Sequence, residues 1–487
     1  MSAPLDPKQL AQFVVDGFVR VRADVAPDIN ATVTDKLRHV HAHEFLMGNN
    51  IMARVPELRE VAEAPALAAT LEQLLGPGYL LHPHRAVHLS TPCEPAEGPL
   101  DPTANAPPMG PGSLAGSIWH QDAQSPLARA RHFLPRHLIV FYFPHDTPPA
   151  MGPTRIVPGS QYGASAEAPE RVVMADDVRA GDLFVLHFDI VHAAFPNFTR
   201  DPRFMIKFVF SRTTAPAAQD LADWPLAEPP NAEQEWVWRW LHGASIGGGD
   251  NAAAERSQRL EAELLAVAGR GLHRRKLARD ASGAPLPRDA QTRTRRWSER
   301  AVAMEPATYE LAMCGPAALP ALERLVANDD PWLRANAAFA LGEIGEQQAQ
   351  PLLVALLDDA EQVVVRQALD ALAALGSVSG AEAAIEGLLR VVNTAWQAAE
   401  VMRGWCAQDQ IRMNAMFALL CALERGTLAI ESVENMLVHA LDDDCGYVGD
   451  IAGEALCRFG TAVGMRAALR KLRGERWDAS LFGIRQY

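Results

Sequence analysis

The 487-residue sequence lacks the features that mark several large classes of protein. Its six cysteines include no CxxC pair, which argues against a disulfide framework and against a thiolate zinc site. Its longest apolar runs, such as residues 415–423, fall well short of the roughly 20 residues that cross a bilayer. No basic segment followed by an apolar one opens the chain, so we expect neither secretion nor a membrane partner.

Positive charge is also scarce, because 45 Lys and Arg face 59 Asp and Glu and give a formal net charge of −14. A net acidic chain is a poor starting point for general nucleic-acid binding, and we expect no nucleic-acid partner. A hydrophobic share of 48% with 21% charged residues excludes a disordered or fibrous chain. At about 100–200 residues per domain, the length predicts two or three domains in a soluble, cytoplasmic protein.

The composition changes along the chain. Fourteen of the fifteen histidines lie at or before His273, and five of the six cysteines lie after residue 313. The first part is rich in Pro, aromatic residues and short β-type runs, and the last part is rich in Ala and Leu at helical spacing. We predict an N-terminal β domain (1–215), a linker with connecting helices (216–300) and a C-terminal helical domain (301–487).

The C-terminal region repeats itself with a period of 31 residues, since Leu341 and Gly345 recur as Leu372 and Gly376. Two apolar helical segments per unit at such a period predict an α-solenoid. The segment 329–345, DDPWLRANAAFALGEIG, resembles a HEAT repeat. This resemblance implies that the helical region contacts a protein partner or a second copy of the chain.

The N-terminal region carries short strand patterns between Pro- and Gly-rich loops. Before them, the sequence DPKQ at residues 6–9 combines a capping residue, a proline and a glutamine in the pattern of a helix start, and Gly17 predicts its end. The predicted strands are residues 18–21, 137–143, 155–157, 182–186 and 204–210. Short strands with no regular intervening helices are typical of an antiparallel sandwich or small barrel.

Two further segments, residues 117–124 and 180–197, offer metal-ligating side chains. His120 and Asp122 are two residues apart, so an extended strand points both to one side. The segment 180–197 offers His192, or His187, at the end of another strand. Two histidines and one carboxylate form the facial triad of non-haem Fe(II) oxygenases, which leaves coordination positions open. Arg203, eleven residues after His192, could clamp a carboxylate through its planar fork.

These motifs resemble those of the phytanoyl-CoA dioxygenase family of Fe(II)/2-oxoglutarate oxygenases, over residues 6–215. The resemblance is carried by LAQFVVDGFVRV, WHQD, GPTRIVPGSQYG and GDLFVLHFDIVHAAFPN. It implies a double-stranded β-helix, a jelly roll of two antiparallel sheets with flanking helices. It also implies that Fe(II) is bound by three side chains, His120, Asp122 and His192, and that Arg203 pairs with the 5-carboxylate of 2-oxoglutarate.

The resemblance further implies a dioxygenase that uses O₂ to hydroxylate a small organic substrate while it decarboxylates 2-oxoglutarate to succinate and CO₂. Asp122 fits hydroxylation rather than halogenation, because related halogenases replace this carboxylate by a small residue. The sequence departs from the family at one position. Family members often carry a hydroxyl residue two positions after the distal histidine, where this chain has Ala194. Another group must complete the cosubstrate pocket, and Thr154 is one candidate.

Other interpretations stay open at this point. The oxygenase fold could be a relic, with the helical repeats as the working part of a non-catalytic protein-binding scaffold. A cupin-like site could hold another divalent metal. His39, His41 and His43 have the spacing of a metal-binding strand, although their segment also fits a helix with a solvated face. His84 and His88 either line the mouth of the substrate site or serve the structure alone.

Overall fold

The structure is a computed structural model, and the chain divides into two compact units. The first unit comprises Met1–Asp122, Pro135–His242 and Arg466–Tyr487, and the second comprises Ala123–Leu134 and Gly243–Met465. The structure describes residues 4–43, 49, 51–94, 101–104, 107–122, 132–163, 171–244, 251–270, 299–375, 389–390, 400–402 and 405–475. Residues 245–250 and 271–298 of the predicted linker and Gly376 of the predicted repeat lie outside these ranges.

The first helix, α1 (Pro7–Asp16), begins and ends where the sequence predicts. The side chain of Asp6 accepts a hydrogen bond from the backbone N–H of Gln9, and the Gln9 side chain accepts one from the N–H of Asp6. This capping box satisfies two backbone donors of the first turn. Gly17 ends the helix at φ 78°, and a Cβ there would lie 2.3 Å from the side chain of Gln161, so only glycine fits.

The strands of the first unit are β1 (Phe18–Arg22), β2 (Leu80–Leu81), β3 (Ala86–Ser90), β4 (His137–Phe143), β5 (Arg155–Ile156), β6 (Val173–Met174), β7 (Asp182–His187), β8 (His192–Ala193) and β9 (Arg203–Ser211). The five predicted strands are present to within one residue at each end, as β1, β4, β5, β7 and β9, whereas β2, β3, β6 and β8 were not predicted. The other helices of this unit are α2 (Pro27–His43), α3 (Ile51–Arg54), α4 (Leu58–Ala62), α5 (Pro65–Leu75) and α6 (Ala232–Leu241).

The strands form two antiparallel sheets. The larger sheet has the order β1-β7-β4-β9-β2, with β3 also paired to β9, and the smaller sheet has the order β6-β5-β8. Every residue of β4, β7 and β9 is buried. An apolar cluster that includes Phe141, Leu186 and Val209 forms part of the core on these central strands. The antiparallel sheet core therefore confirms this part of the predicted fold class.

The second unit is largely helical. Its helices are α7 (Asn251–Gly269), α8 (Glu299–Met313), α9 (Leu319–Val326), α10 (Pro331–Ile344), α11 (Gln350–Ala355), α12 (Gln362–Leu375), α13 (Ala407–Glu424), α14 (Glu434–Ala440), α15 (Gly446–Phe459) and the first residues of α16 (Ala462–Glu475). Two short strands, β10 (Glu400–Met402) and β11 (Trp405–Cys406), pair with each other. Among the described helices, none combines the length and apolar character needed to span a bilayer.

Successive helical repeats are joined by close packing and by ion pairs. A Cβ on Gly342 of α10 would lie 2.7 Å from the backbone of α12, so glycine allows the two helices to approach closely. Arg334 binds both carboxylate oxygens of Asp359 at 2.6 and 2.8 Å. Arg412 binds Asp443 in the same way, at 2.9 Å for each oxygen. Bidentate pairs of this kind fix the geometry of each turn against its neighbouring helix.

Candidate metal centre

The backbone brings two histidines together. His120 forms an isolated antiparallel bridge with His192 of β8, and their ring centroids lie 4.4 Å apart. Asp122 follows two residues later, and its Oδ2 lies 3.8 Å from Nε2 of His192. One ligand atom from each of the three residues lies within 4.8 Å of the other two. The sequence spacing predicts only that the His120 and Asp122 side chains point to the same side of the chain. The backbone bridge brings His192 beside them as the third candidate ligand.

The hydrogen bonds of the two rings fix which nitrogen is available to a metal. Nδ1 of His120 donates to the carbonyl of Ile118 at 2.8 Å, and Nδ1 of His192 donates to the carbonyl of Ile190 at 3.1 Å. Because a carbonyl only accepts, each Nδ1 carries the proton and each neutral ring presents the lone pair of Nε2. Nε2 of His192 is buried without a hydrogen-bond partner. This is the arrangement that a metal-binding histidine needs.

The protonation states also suit a metal ion. Burial, reinforced by the neighbouring His192, lowers the pKa of His120 to about 3. Burial likewise lowers the pKa of His192, against the opposing charge of Asp122. Burial alone would raise the pKa of Asp122, but Lys207 and the two histidines hold it below its ordinary value. Two neutral imidazoles and one ionised carboxylate result at neutral pH, so these residues fit a divalent cation.

Lys207 is a member of the site that the sequence analysis does not identify. It lies on β9, and its Nζ is 2.5 Å from Oδ2 of Asp122. The side chain is buried, with 5% of its surface exposed. Its only signal in the sequence is its position: a lysine inside the apolar run 203–211, four residues after Arg203 and therefore on the same face of the strand.

Arg203 occupies a closed position with unused donors. Its Nη1 donates to the carbonyl of Gly152, while its Nε and Nη2 are buried without a hydrogen-bond partner. Burial lowers its pKa to about 10, so the guanidinium stays charged at neutral pH. Gly152 has φ 72°, and a Cβ there would lie 2.3 Å from the carbonyl oxygen of Pro196. A buried fork with two open donors is suited to a carboxylate ligand.

Two buried hydroxyl groups accompany Arg203. Oγ1 of Thr154 has no hydrogen-bond partner and lies two residues after the glycine whose carbonyl Arg203 contacts. Oγ of Ser90 also has no partner, and Ser90 is the residue of β3 directly opposite Arg203 on β9. Side chains of directly opposed residues lie on the same face of a sheet. Ser90 was not recognised in the sequence because only the strand register reveals its position.

Arg155 of β5 holds together the segment that leads to His120. Its guanidinium donates to the carbonyls of four residues at 2.7–3.2 Å: Pro102, Ala104, Ser117 and Ala194. It also lies 4.3 Å above the ring of Trp119. Burial lowers the pKa of Arg155 to about 10, so it remains a cation. In the sequence, the segment around Arg155 contributes to the family resemblance, but this role of the side chain is not visible.

The other histidines considered in the sequence lie elsewhere. His39, His41 and His43 are exposed on α2, which agrees with the helical interpretation. His187 lies on β7, where its Nδ1 accepts a hydrogen bond from the N–H of Asp189. It is not part of the three-residue cluster. His88 lies on β3 and joins the region around Lys207, as described below.

Comparison with known proteins agrees with the site geometry. Residues 13–205 match the family model of phytanoyl-CoA dioxygenase (PhyH), and residues 318–408 match that of HEAT repeats. The chain therefore contains a region similar to phytanoyl-CoA dioxygenases and a region similar to HEAT repeats. The family match supports a dioxygenase-type function for the domain. No curated protein matches the chain.

Several solved structures are similar to the oxygenase domain. The epimerase SnoN from nogalamycin biosynthesis is 22% identical, with 42% of this chain and 82% of that chain covered and a TM-score of 0.32. EctD from S. alaskensis, solved with 2-oxoglutarate and 5-hydroxyectoine, is 16% identical, with coverages of 49% and 84% and a TM-score of 0.34. AviO1 from Streptomyces viridochromogenes Tue57 is 17% identical, with coverages of 45% and 100% and a TM-score of 0.31.

Proposed function

We propose that the protein is an Fe(II)- and 2-oxoglutarate-dependent dioxygenase that hydroxylates a small organic substrate and converts 2-oxoglutarate to succinate and CO₂. The proposal assigns this activity to residues 1–215, folded as a double-stranded β-helix. It rests above all on one observation: the ligand atoms of His120, Asp122 and His192 converge within 4.8 Å, with the Nε2 lone pairs left available by the Nδ1 hydrogen bonds.

In this reaction, the three metal ligands, Arg203 and one of the buried hydroxyl groups have separate roles. His120, Asp122 and His192 hold the iron and leave coordination positions open for 2-oxoglutarate and O₂. The two open donors of Arg203 bind the 5-carboxylate of 2-oxoglutarate as a charge-assisted pair. Thr154 or Ser90 donates a further hydrogen bond to that carboxylate, in place of the hydroxyl that Ala194 cannot provide. When bound, iron would use O₂ and 2-oxoglutarate to supply the oxidising chemistry for hydroxylation of a substrate C–H bond.

Burial of these groups contributes to the chemistry. His192 and Arg203 are nearly or fully buried, at 3% and 0% exposure. In such a low-dielectric site, the attraction between the guanidinium and a carboxylate is stronger than in water. The site also shields reactive species from water, which limits side reactions.

The helical repeats form the second part of the proposal. Stacked repeats of this type present an extended surface, and we assign to residues 301–487 the binding of a protein partner or of a second copy. The Arg334–Asp359 and Arg412–Asp443 pairs would keep that surface rigid.

Succinate formation tests the enzymatic proposal. The full chain with Fe(II), ascorbate, 2-oxoglutarate and O₂ should release succinate, since members of this reaction class turn over slowly even without substrate. His120→Ala should abolish the release, whereas His43→Ala, which changes an exposed histidine on α2, should not alter it. Equal release by wild type and His120→Ala would reject the enzyme and favour the non-catalytic scaffold.

A further inference from the structure

The ammonium group of Lys207 has a single partner in the described structure. Its Nζ contacts Oδ2 of Asp122 at 2.5 Å and makes no other hydrogen bond with a described residue. Oδ2 is also the oxygen that faces Nε2 of His192 at 3.8 Å. The oxygen that neutralises Lys207 is therefore the one placed to share a metal ion with His192.

A bound metal ion changes the situation of Lys207. A dication and an ammonium ion on the same carboxylate oxygen repel each other, and the repulsion is strong in a buried site. Lys207 is only 4% exposed, so it cannot turn to bulk water without a large rearrangement. A buried ammonium ion that loses its counter-ion is unfavourable unless another anion replaces it.

Among the residues that the structure describes, none besides Asp122 offers an anion to Lys207. On β3, Ala86 lies opposite Lys207 and His88 lies opposite Met205. Because His88 is two residues from Ala86, its side chain lies on the same face of the sheet as that of Lys207. Beyond the backbone pairing of β3 with β9, the side chain of His88 makes no hydrogen bond with a described residue. Burial, and then the charge of Lys207, lowers the pKa of His88 and that of His84, the latter to about 4. Both histidines are thus neutral and can donate a hydrogen bond but cannot supply negative charge.

The charge balance of the loaded site points to the missing partner. The metal contributes two positive charges, and Arg203 and Lys207 one each. Asp122 contributes one negative charge and 2-oxoglutarate two. One formal positive charge is left over beside Lys207. A single carboxylate would neutralise it, whereas a phosphate monoester, with a charge of about −1.5 to −2 at neutral pH, would exceed it.

We propose that Lys207 is a substrate-binding residue that pairs with a carboxylate, so that the substrate is a monoanionic organic acid. His88, and His84 beside it, hydrogen-bond the same carboxylate or the polar groups next to it. This inference rests on the proposed function, because it takes the metal and 2-oxoglutarate as the other groups bound beside Lys207. Without them, Asp122 holds the ammonium group in the position where the metal would compete with it.

Binding of matched acids and amides tests this inference. The full chain loaded with redox-inert Mn(II) and 2-oxoglutarate is titrated with hexanoate and hexanamide, with 3-phenylpropionate and 3-phenylpropionamide, and with phenyl phosphate. At least one acid should bind ten times more tightly than its amide and more tightly than phenyl phosphate. Lys207→Met should remove the preference for the acid, and Lys207→Arg should retain most of it, which a merely structural lysine would not explain.

Metal affinity supplies a second readout that does not depend on activity. Lys207→Met removes the ammonium group that competes for Oδ2, so this variant should bind Mn(II) several times more tightly than wild type. A variant that binds Mn(II) is also folded at the site. Amides that bind as well as acids throughout the panel, or a preference that survives in Lys207→Met, would overturn the inference. Failure of wild type to bind Mn(II) and 2-oxoglutarate at all would instead overturn the proposed function.

Discussion

His120 and His192 exchange both of their backbone hydrogen bonds, at 3.2 Å from His120 N to His192 O and 3.0 Å in the reverse direction. The chain between them includes β4, β5 and β7, yet their rings lie against each other because these backbone hydrogen bonds pair the two residues. Such a preorganised site holds its ligands in place before the metal arrives. Because backbone atoms form this pair, replacement of the His120 side chain leaves the pair intact.

The first prediction concerns the metal ligands. His120→Ala and Asp122→Ala should each weaken Mn(II) binding by more than about 100-fold, since even the outer partners of ligands contribute about 10- to 100-fold. Isothermal titration of the metal-free full chain measures this. His43→Ala, a histidine on the exposed side of α2, should bind Mn(II) like wild type. Weakened binding in His43→Ala would point to a metal site on α2 instead.

The second prediction concerns the cosubstrate. Arg203→Met removes two charge-assisted hydrogen bonds to 2-oxoglutarate. The binding free energy should weaken by about 2–3 kcal/mol, which raises the Kd roughly 30- to 150-fold. Titration of the Mn(II)-loaded protein with 2-oxoglutarate measures the Kd. Arg179→Met, which changes an exposed arginine paired with Asp146, serves as the control and should leave the Kd unchanged. An unchanged Kd in Arg203→Met would place the cosubstrate elsewhere.

The third prediction separates the two hydroxyl candidates of the cosubstrate pocket. Thr154→Val and Ser90→Ala each remove one buried hydroxyl that has no hydrogen-bond partner among the described residues. Loss of the hydroxyl that bonds 2-oxoglutarate should weaken binding by about 1 kcal/mol, which raises the Kd roughly fivefold. Loss of the other hydroxyl should leave the Kd unchanged. The same titration decides between them. If neither substitution changed the Kd, the pocket would have to be completed by a group other than these hydroxyls.

The fourth prediction concerns stability and pH in the helical unit. His132 is buried between two carboxylates, with Nδ1 2.8 Å from Oε1 of Glu343 and Nε2 3.0 Å from Oδ2 of Asp370. Burial alone would lower its pKa, but Glu343 and Asp370 together raise it to about 9. Because the folded pKa exceeds the ordinary value of 6.5, the protonated ring stabilises the fold below pH 6.5. That stabilisation, at most about 3 kcal/mol, should be lost as the pH rises from 6.5 through 9.

Urea unfolding of the full chain at pH 6 and pH 9.5, followed in the helical unit by hydrogen exchange, checks this dependence. His132→Gln should flatten the pH dependence in α10 and α12, the helices that carry Glu343 and Asp370. His439→Gln, which changes an exposed histidine of the same unit, should retain it. If wild type became more stable between pH 6.5 and 9 and His132→Gln did not, the assigned charge on His132 would be wrong.

The fold was predictable from the sequence where the signals are local. The cap at Asp6, the apolar run of β4 and the glycine that ends α10 each depend on a few adjacent residues. The strand predicted over His120 and Asp122 is not formed, because only a single bridge is present at His120 and Asp122 has a 3₁₀ conformation; the two side chains nevertheless converge. His192 required the family resemblance, because the choice against His187 depends on where β7 ends.

The remaining site residues could not be predicted because they depend on long-range pairing. Ser90 is set beside Arg203 by the register of β3 on β9, which no local pattern specifies. Lys207 interrupts an apolar strand, and only its contact with Asp122 reveals that it belongs to the site. The partners of His132 lie 211 and 238 residues further along the chain. Such contacts follow from tertiary packing and not from sequence periodicity.

The most direct test of the central claim is anomalous X-ray scattering at the iron edge, from crystals of the full chain grown without oxygen in the presence of Fe(II) and 2-oxoglutarate. We predict one iron peak within ligand distance of Nε2 of His120, Oδ2 of Asp122 and Nε2 of His192, with 2-oxoglutarate between the iron and the Arg203 guanidinium. An iron peak away from these three atoms, or 2-oxoglutarate bound without contact to Arg203, would contradict the account.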